Sequence, residues 1–542
     1  MEPARTERRL RALPTPSATA VARSTVIVMA ATLASTLLGF LREVVNAGYF
    51  GTRWQMDTFL AAATIPTILF GLFNGALVSA LVPVFSQYLA TGRDEEGWRL
   101  ANTIVNVLAI VLVVSCAAGW LLAPWYVPLV AHGFPAPQMG VAVRMTRWMM
   151  PSIIGTSLAG VVTAALNAHH RFLGAALQGL AINVVTILTV VILFSRLGIY
   201  ALVLGTSLGL CAQLLVQLPS FFRLGTYRPV IDLHHPGLHR IMLVLGPIVV
   251  GSAAGQIALF FDRFFASTLQ PGYISGINYA TKLVGFPQQI FAAAIATVLF
   301  PLLASHFARD NHAEVRRSLV TGLRLVMFIA IPATLGLIVL ATPIVRTLFE
   351  RGLFGPSSTV LTSHLIPYAA LGLVATAANV VLSRCSFACR EVRWTVAISV
   401  LTVALNVVLS LLWLRPFGAR GLLAANAVSQ SLQAVLLGAL VWRLLAGFDV
   451  RALLRSAGGA LLCSAAMIAA LRWIATFSVE PVRPFGVEAL YLAGQLGIGA
   501  LAFLAVARLL NLDEFALIVR LIVQKFERSI PSAPENRDAP IA

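Results

Sequence analysis

The sequence predicts an all-α polytopic membrane protein of about fourteen transmembrane helices, built as two parallel six-helix lobes plus two C-terminal helices. Three observations predict it. The composition is too apolar for water, basic residues alternate from loop to loop, and landmark residues recur at one offset along the chain.

Composition comes first. Of 542 residues, 58% are hydrophobic and 11% charged, with mean hydropathy +0.87. Soluble domains carry about 25% charged residues, so this chain cannot solvate its own surface. Stretches such as Ile104–Ala123 and Ile398–Leu414 are almost wholly apolar. With their flanks they are long enough to cross a hydrocarbon core of about 30 Å. Apolar periodicity and length place spans near 26–48, 57–88, 101–128, 141–167, 173–195, 199–222, 238–268, 275–305, 317–346, 360–388, 393–414, 418–445, 452–476 and 485–509.

Charge then sets the register. A net charge of +18 would suggest nucleic acid for a soluble protein, but here it follows the positive-inside rule. With the N-terminus inside, the inner segments include GRDEEGWR (92–99), FFRLGTYRPVIDLHHPGLHR (221–240), ARDNHAEVRR (308–317) and SRCSFACREVR (383–393). Roughly 25 Arg and Lys fall inside against roughly 6 outside, an asymmetry that a one-span error would scramble. Both termini are therefore expected in the cytoplasm. Met1 to Ser24 is Arg-rich without a cleavable apolar core, so it reads as a cytoplasmic tail and not as a signal peptide.

The chain also repeats itself. Pro83 matches Pro301 at an offset of 218, Pro151 matches Pro367 at 216, and Asn183 matches Asn406 at 223. The offset covers six spans, an even number, so both copies share one orientation. The expected organisation is a tail over 1–24, an N-lobe over 25–228, a C-lobe over 229–447, two added helices over 448–511 and a second cytoplasmic tail over 512–542. Two lobes around a cavity is a transporter plan that works by alternating access.

Ionisable residues inside spans mark the cavity, because they are costly in lipid. Arg42 and Glu43 lie in the outer part of the first span and Asp57 starts the second. Asp262 and Arg263 lie in the seventh span. Lys282, one of only two lysines with Lys525, is inside the eighth. Arg147 lies in the outer part of the fourth, where snorkelling to headgroups weighs evenly against a cavity role. The expected substrate-binding residues are thus Arg42, Lys282, Asp57, Arg263, Asp262, Glu43 and Arg147. Surplus cationic side chains in a cavity suit a phosphate or pyrophosphate. Prolines Pro66, Pro83, Pro151, Pro287, Pro301 and Pro367 break spans where helices bend.

Other chemistries find no footing. There is no GxxxxGK[ST] loop for ATP, and no soluble stretch is long enough for a catalytic domain. His234, His235 and His239 with Asp232 match no zinc spacing, and Cys385 and Cys389 lack ligand neighbours. No cofactor, no metal, no enzymatic activity and no nucleic-acid partner are expected. A membrane-embedded glycosyltransferase would need carboxylates on large outer loops, and these loops are short, with Glu350, Glu480 and Glu488.

At these residues the chain resembles the MurJ/MviN lipid II flippases of the MOP exporter superfamily. The resemblance rests on LLGFLREVVNAGYFG (37–51), Asp57, Pro66, ALVSALVPVFSQYLATG (76–92), NAHHRF (167–172), the run 260–308 and LFERGLF (348–354). It implies export of an undecaprenyl-pyrophosphate-linked disaccharide peptide from the inner leaflet of the cell inner membrane. It also implies a cationic cavity, a lipid-tail groove by the last two helices, and cell-wall synthesis or division proteins as partners. By position Arg42 resembles the second arginine of the family's first-span motif, Asp57 its second-span aspartate, and Lys282 its eighth-span arginine. The chain departs at Thr36, in FGLFNGALVS (70–79) and at Thr281, where family charges are missing. An exporter of another polyprenyl-linked glycan, a drug exporter and a non-transporting membrane scaffold are the competing readings.

Overall fold

The computed structural model describes residues 18–225, 227–476, 485–517 and 519–520. Most of the two expected cytoplasmic tails, including Lys525, lies outside the described residues. Among those described, regular structure is helical throughout. The first half runs α1 (Ala18–Phe50), α2 (Trp54–Ala62), α3 (Thr64–Ala90), α4 (Asp94–Val130), α5 (Ala136–Met149), α6 (Ser152–Ala168), α7 (Phe172–Leu197), α8 (Tyr200–Leu215) and α9 (Leu218–Phe222). The second continues with α10 (Pro236–Ala266), α11 (Tyr273–Pro287), α12 (Ala293–Ala308), α13 (His312–Val339), α14 (Ala341–Phe349), α15 (Pro356–Ala370), α16 (Leu373–Ala388), α17 (Val392–Leu444), α18 (Val450–Thr476) and α19 (Phe485–Leu509).

Proline and glycine set the breaks. Pro287 ends α11, and the next five residues, Gln288–Ala292, form a π-helical turn before α12 resumes. A proline that withholds its amide forces this kind of local rewinding. Within α17, Gly418 adopts φ 57° and ψ −134°, so its 53 residues are two helices joined at a kink. Among the described residues, eleven helices qualify as spans by length and composition, or twelve when the bent pair Pro356–Ala370 and Leu373–Ala388 counts as one. The expected fourteen exceeds that count. Part of the difference is α17, which covers the ranges expected for two spans. Another part is α10, which is not among the qualifying helices.

The chain divides into two compact units. The first holds Met1–Ala280, Leu348–Leu365 and Ser399–Ser429. Its helices α3 and α6 pack together, as do α7 with α8, α1 with α7, and α10 with α3. Leu81, Leu100, Val161 and Leu166 are fully buried at its core. Asn183 on α7 donates to the Ser35 carbonyl of α1 at 3.1 Å. Asn406, its mate in the repeat, approaches Asp262 of α10 at 3.5 Å. The same helix pair is therefore pinned by the same residue in both copies.

The second unit holds Thr281–Thr347, Ile366–Ile398 and Gln430–Ala542. Helices α12, α13 and α16 pack mutually around Leu303, Leu319, Val381 and Val441, all buried. Helix α18 lies against α13 and α19 against α18. Outward-facing Trp125, Val298 and Leu490 are each more than three-quarters exposed, which suits side chains whose solvent is hydrocarbon.

Candidate functional site

The first unit brings pieces of both copies together at the end that loop charge assigns to the outside. Asp57 sits in the first turn of α2 and is 2% exposed. Its carboxylate accepts the Gly272 amide at 2.5 Å and the Ser275 amide at 2.7 Å. These amides open α11, whose first turn has no intrahelical acceptors for its N–H groups. A carboxylate there satisfies two donors and complements the positive helix end. Gly272 has φ +95°, and a Cβ on it would lie 2.6 Å from the Thr52 carbonyl. Only glycine fits this turn.

Around the cap, two further contacts mirror each other. A Cβ on Gly133 would stand 2.2 Å from the Ser267 carbonyl, and one on Gly352 would stand 2.3 Å from the Gly48 carbonyl. Both separations, 48 to 267 and 133 to 352, equal 219 residues. Gly133 donates to the Ser267 hydroxyl at 3.2 Å, and Leu353 donates to the Gly48 carbonyl at 2.8 Å. Each copy thus presses a loop glycine onto the helix end of the other. Thr52 and Ser358 add a hydroxyl pair at 2.7 Å. Phe265, Ala266, Ile274 and Leu422 form the apolar centre behind these contacts, with Leu60 and Phe134 against it.

Tyr279 is wholly buried beside this seal, its ring 5.3 Å from Phe349 and 5.6 Å from Phe354. The preceding residue on α11, Asn278, accepts from Arg263 at 3.2 Å. Asp262 is the partner of Asn406. Arg42 and Glu43 form an ion pair at 3.0 Å, with side chains 24% and 10% exposed. The structure therefore groups Asp57, Arg263 and Asp262 through α10, α11 and their contacts. Arg42 keeps Glu43 as its partner. Lys282 belongs to the second unit, is exposed, and makes no ion pair or hydrogen bond among the described residues.

Arg147 lies elsewhere. Its guanidinium stacks over the Trp120 ring at 4.5 Å, and its Nε donates to the Trp120 carbonyl at 3.0 Å. Trp120 and neighbouring Trp148 are both about half exposed. Stacking on a half-exposed tryptophan is the kind of contact a snorkelling arginine would use.

Sequence reasoning missed the acceptors and donors of the seal, because backbone amides and carbonyls leave no residue signature. A finer reading of the repeat holds a signal for them. At an offset of 221, Gly51 meets Gly272, Asp57 meets Asn278 and Pro66 meets Pro287.

The fold is the all-helical one shared with solved transporters of the MOP superfamily. Its architecture matches "Lipid II flippase MurJ, inward closed conformation" with TM-score 0.76 over 90% of this chain and 99% of that one, at 22% identity. An inward-facing multidrug resistance MATE transporter of the same superfamily matches at TM-score 0.65 and 14% identity, over 78% of this chain and 98% of that one. The family model for lipid II flippase MurJ matches residues 46–488. The probable lipid II flippase MurJ of Vibrio cholerae is 31% identical over 507 residues, 90% of this chain and 96% of the relative. That of Rhizobium meliloti is 31% identical over 88% of this chain and 91% of the relative. The lipid II flippase MurJ of Burkholderia cenocepacia is 29% identical over 77% and 82%. The chain belongs to the lipid II flippase MurJ family.

Proposed function

We propose that this protein moves lipid II, the undecaprenyl-pyrophosphate-linked disaccharide peptide, from the cytoplasmic to the outer leaflet of the inner membrane by alternating access. The observation that carries the reading is the seal centred on Asp57. The contacts of Asp57 with Gly272 and Ser275, and of Gly133 and Gly352 with the opposite copy, are of the kind that rocking of one copy on the other would break and remake.

In this reading the copies 25–228 and 229–447 are the two lobes, 448–511 supports the lipid tail, and both termini face the cytoplasm. Of the motif cations proposed to receive the pyrophosphate, Lys282 has no ion pair among the described residues, and Arg42 would give up Glu43 to do so. Arg263, with Asp262 and Glu43, sets the charge around them. Asp57 acts as the latch and is not itself a phosphate ligand, because an anion beside the pyrophosphate would repel it. Opening the latch frees the head of α11, which carries Lys282 about 14 Å further along at 1.5 Å per residue. Membrane potential contributes about 2.3 kcal/mol per 100 mV for each charge moved. Cell-wall synthesis or division proteins would be its protein partners.

The test is the sidedness of the precursor in cells depleted of this protein, read with an external enzyme that cleaves only outward-facing precursor. Cleavage collapses while total precursor rises if the reading is right. Unchanged cleavage, with no second flippase in the strain, overturns it in favour of another polyprenyl-linked glycan or a scaffold role. Loss of another glycan from the outer leaflet separates those two.

A further inference from the structure

The face of α11 that exposes Lys282 leads on to a second exposed polar side chain, Gln289. Between them Leu283 and Val284 turn inward and are buried, and Gly285 is half-buried. Pro287 has no amide to donate, and the turn that follows it, Gln288–Ala292, is wound as a π-helix. From that turn Gln289 reaches back four residues, the direction in which helical side chains lean.

Gly285 is what makes room for it. A Cβ on Gly285 would lie 3.6 Å from the Gln289 Nε2 and would meet nothing else within 4 Å beyond its chain neighbours and the helix backbone. The amide therefore sits over the glycine, and the space beside it is open. Gly285 lies three residues beyond Lys282, about 4.5 Å of helix rise. The Lys282 ammonium and the Gln289 amide are thus two donors along one open strip. Neither has an ion pair or hydrogen bond among the described residues.

Depth decides what this strip faces. Gln289 stands sixteen residues after Tyr273, where α11 begins, or about 24 Å along the helix. That is well inside a hydrocarbon core of about 30 Å, and the side chain is too short to snorkel out. A glutamine amide turned to lipid there would leave its polar groups unsatisfied, at a cost of several kcal/mol. A polar cavity is its place. We propose that Gln289 is a second ligand of the substrate's pyrophosphate, its amide N–H donating to one phosphoryl group while Lys282 pairs with the other. The assignment rests on the flippase reading of Lys282. A neutral amide adds reach and direction without charge, so it favours a diphosphate that meets both donors over a monophosphate that meets one.

The full-length protein in nanodiscs, offered undecaprenyl pyrophosphate or undecaprenyl phosphate, tests this, with bound lipid counted by native mass spectrometry. The wild type is expected to retain the pyrophosphate in preference to the monophosphate. Gln289→Ala lowers that preference about tenfold, the scale of one hydrogen bond to a charged group. Gln289→Glu keeps the shape and sets a carboxylate against the phosphate, so it lowers the preference further and keeps the test sound if the alanine variant does not fold. Lys282→Gln weakens retention of both lipids. A preference that survives Gln289→Glu overturns the proposal and leaves the flippase reading standing. A wild type that retains neither lipid overturns both.

Discussion

Asp57 and Ser275 meet across 2.7 Å and 218 residues of chain. The carboxylate of the first copy completes the first turn of a helix in the second, and Gly272 supplies the other amide. Helix caps are worth about 0.5–2 kcal/mol, enough to hold a mouth shut and little enough to be given up in each cycle.

Replacing Asp57 by Ala therefore shifts the protein toward outward opening. With a cysteine placed at Ser275, labelling by a membrane-impermeant maleimide rises by about 3- to 30-fold, the range that the cap energy allows. Unchanged labelling would show that the apolar centre around Phe265 holds the seal without the latch.

Gly133→Ala and Gly352→Ala act on the reciprocal contacts. Each new Cβ would collide with a backbone carbonyl, Ser267 in one case and Gly48 in the other. Neither carbonyl can move without its helix end. Each variant is expected to lose precursor export and to lower the melting midpoint in detergent by several degrees, consistent with about 1–3 kcal/mol of overpacking. A melting curve that overlays the wild type would remove these contacts from the seal.

Thr52 and Ser358 supply a covalent version of the same experiment. Their hydroxyls are 2.7 Å apart, so paired cysteines at these positions lie within disulfide reach. Oxidation should arrest export and a reductant should restore it. Arrest that persists after reduction would mean the substitutions alone do the damage.

Among the charged candidates, Lys282→Gln combined with Arg42→Gln is expected to reduce outward-facing precursor at least about tenfold with the protein still inserted, since each pair of a cation with phosphate contributes about 1.5–3 kcal/mol. Arg147→Gln should leave export within about twofold, because a surface cation–π contact is worth about 0.5–1 kcal/mol. Equal defects from both would return Arg147 to the cavity.

Acid stability reports on Arg324, whose guanidinium pairs with Asp513 at 2.9 Å and with Glu514 at 2.7 Å. Glu514 titrates below its ordinary value in the folded protein, so its stabilisation is complete above the unfolded carboxylate range and is lost as pH falls through the folded value. The wild-type melting midpoint should drop more steeply below about pH 4.5 than that of Glu514→Gln. Parallel curves would place the acid-sensitive groups elsewhere.

Much of this was legible in the residues. The helical membrane fold follows from apolar length and loop charge, and the cost of a carboxylate in lipid singled out Asp57, though as a substrate-binding residue and not as a helix cap. What Asp57 binds was not legible, because its partners are backbone amides. Arg42 and Arg147 look alike as arginines in apolar context, and only packing separates one held by Glu43 from one resting on Trp120. The division between the spans expected at 393–414 and 418–445 was legible too, since the helices kink apart at Gly418. The ion pair of Arg324 with Glu514 was invisible, since residues 324 and 514 share no pattern in the chain.

The mirrored glycines have one more consequence. When two equal copies each supply both the protrusion and the seat, the mouth is a self-complementary surface of the kind that joins twofold-symmetric dimers. A forebear with a single copy, paired with its twin in the same orientation, would already possess a mouth that shuts. In linked copies the two halves are free to differ elsewhere, but a side chain added at Gly133 or Gly352 meets the backbone of the other copy, at Ser267 or Gly48.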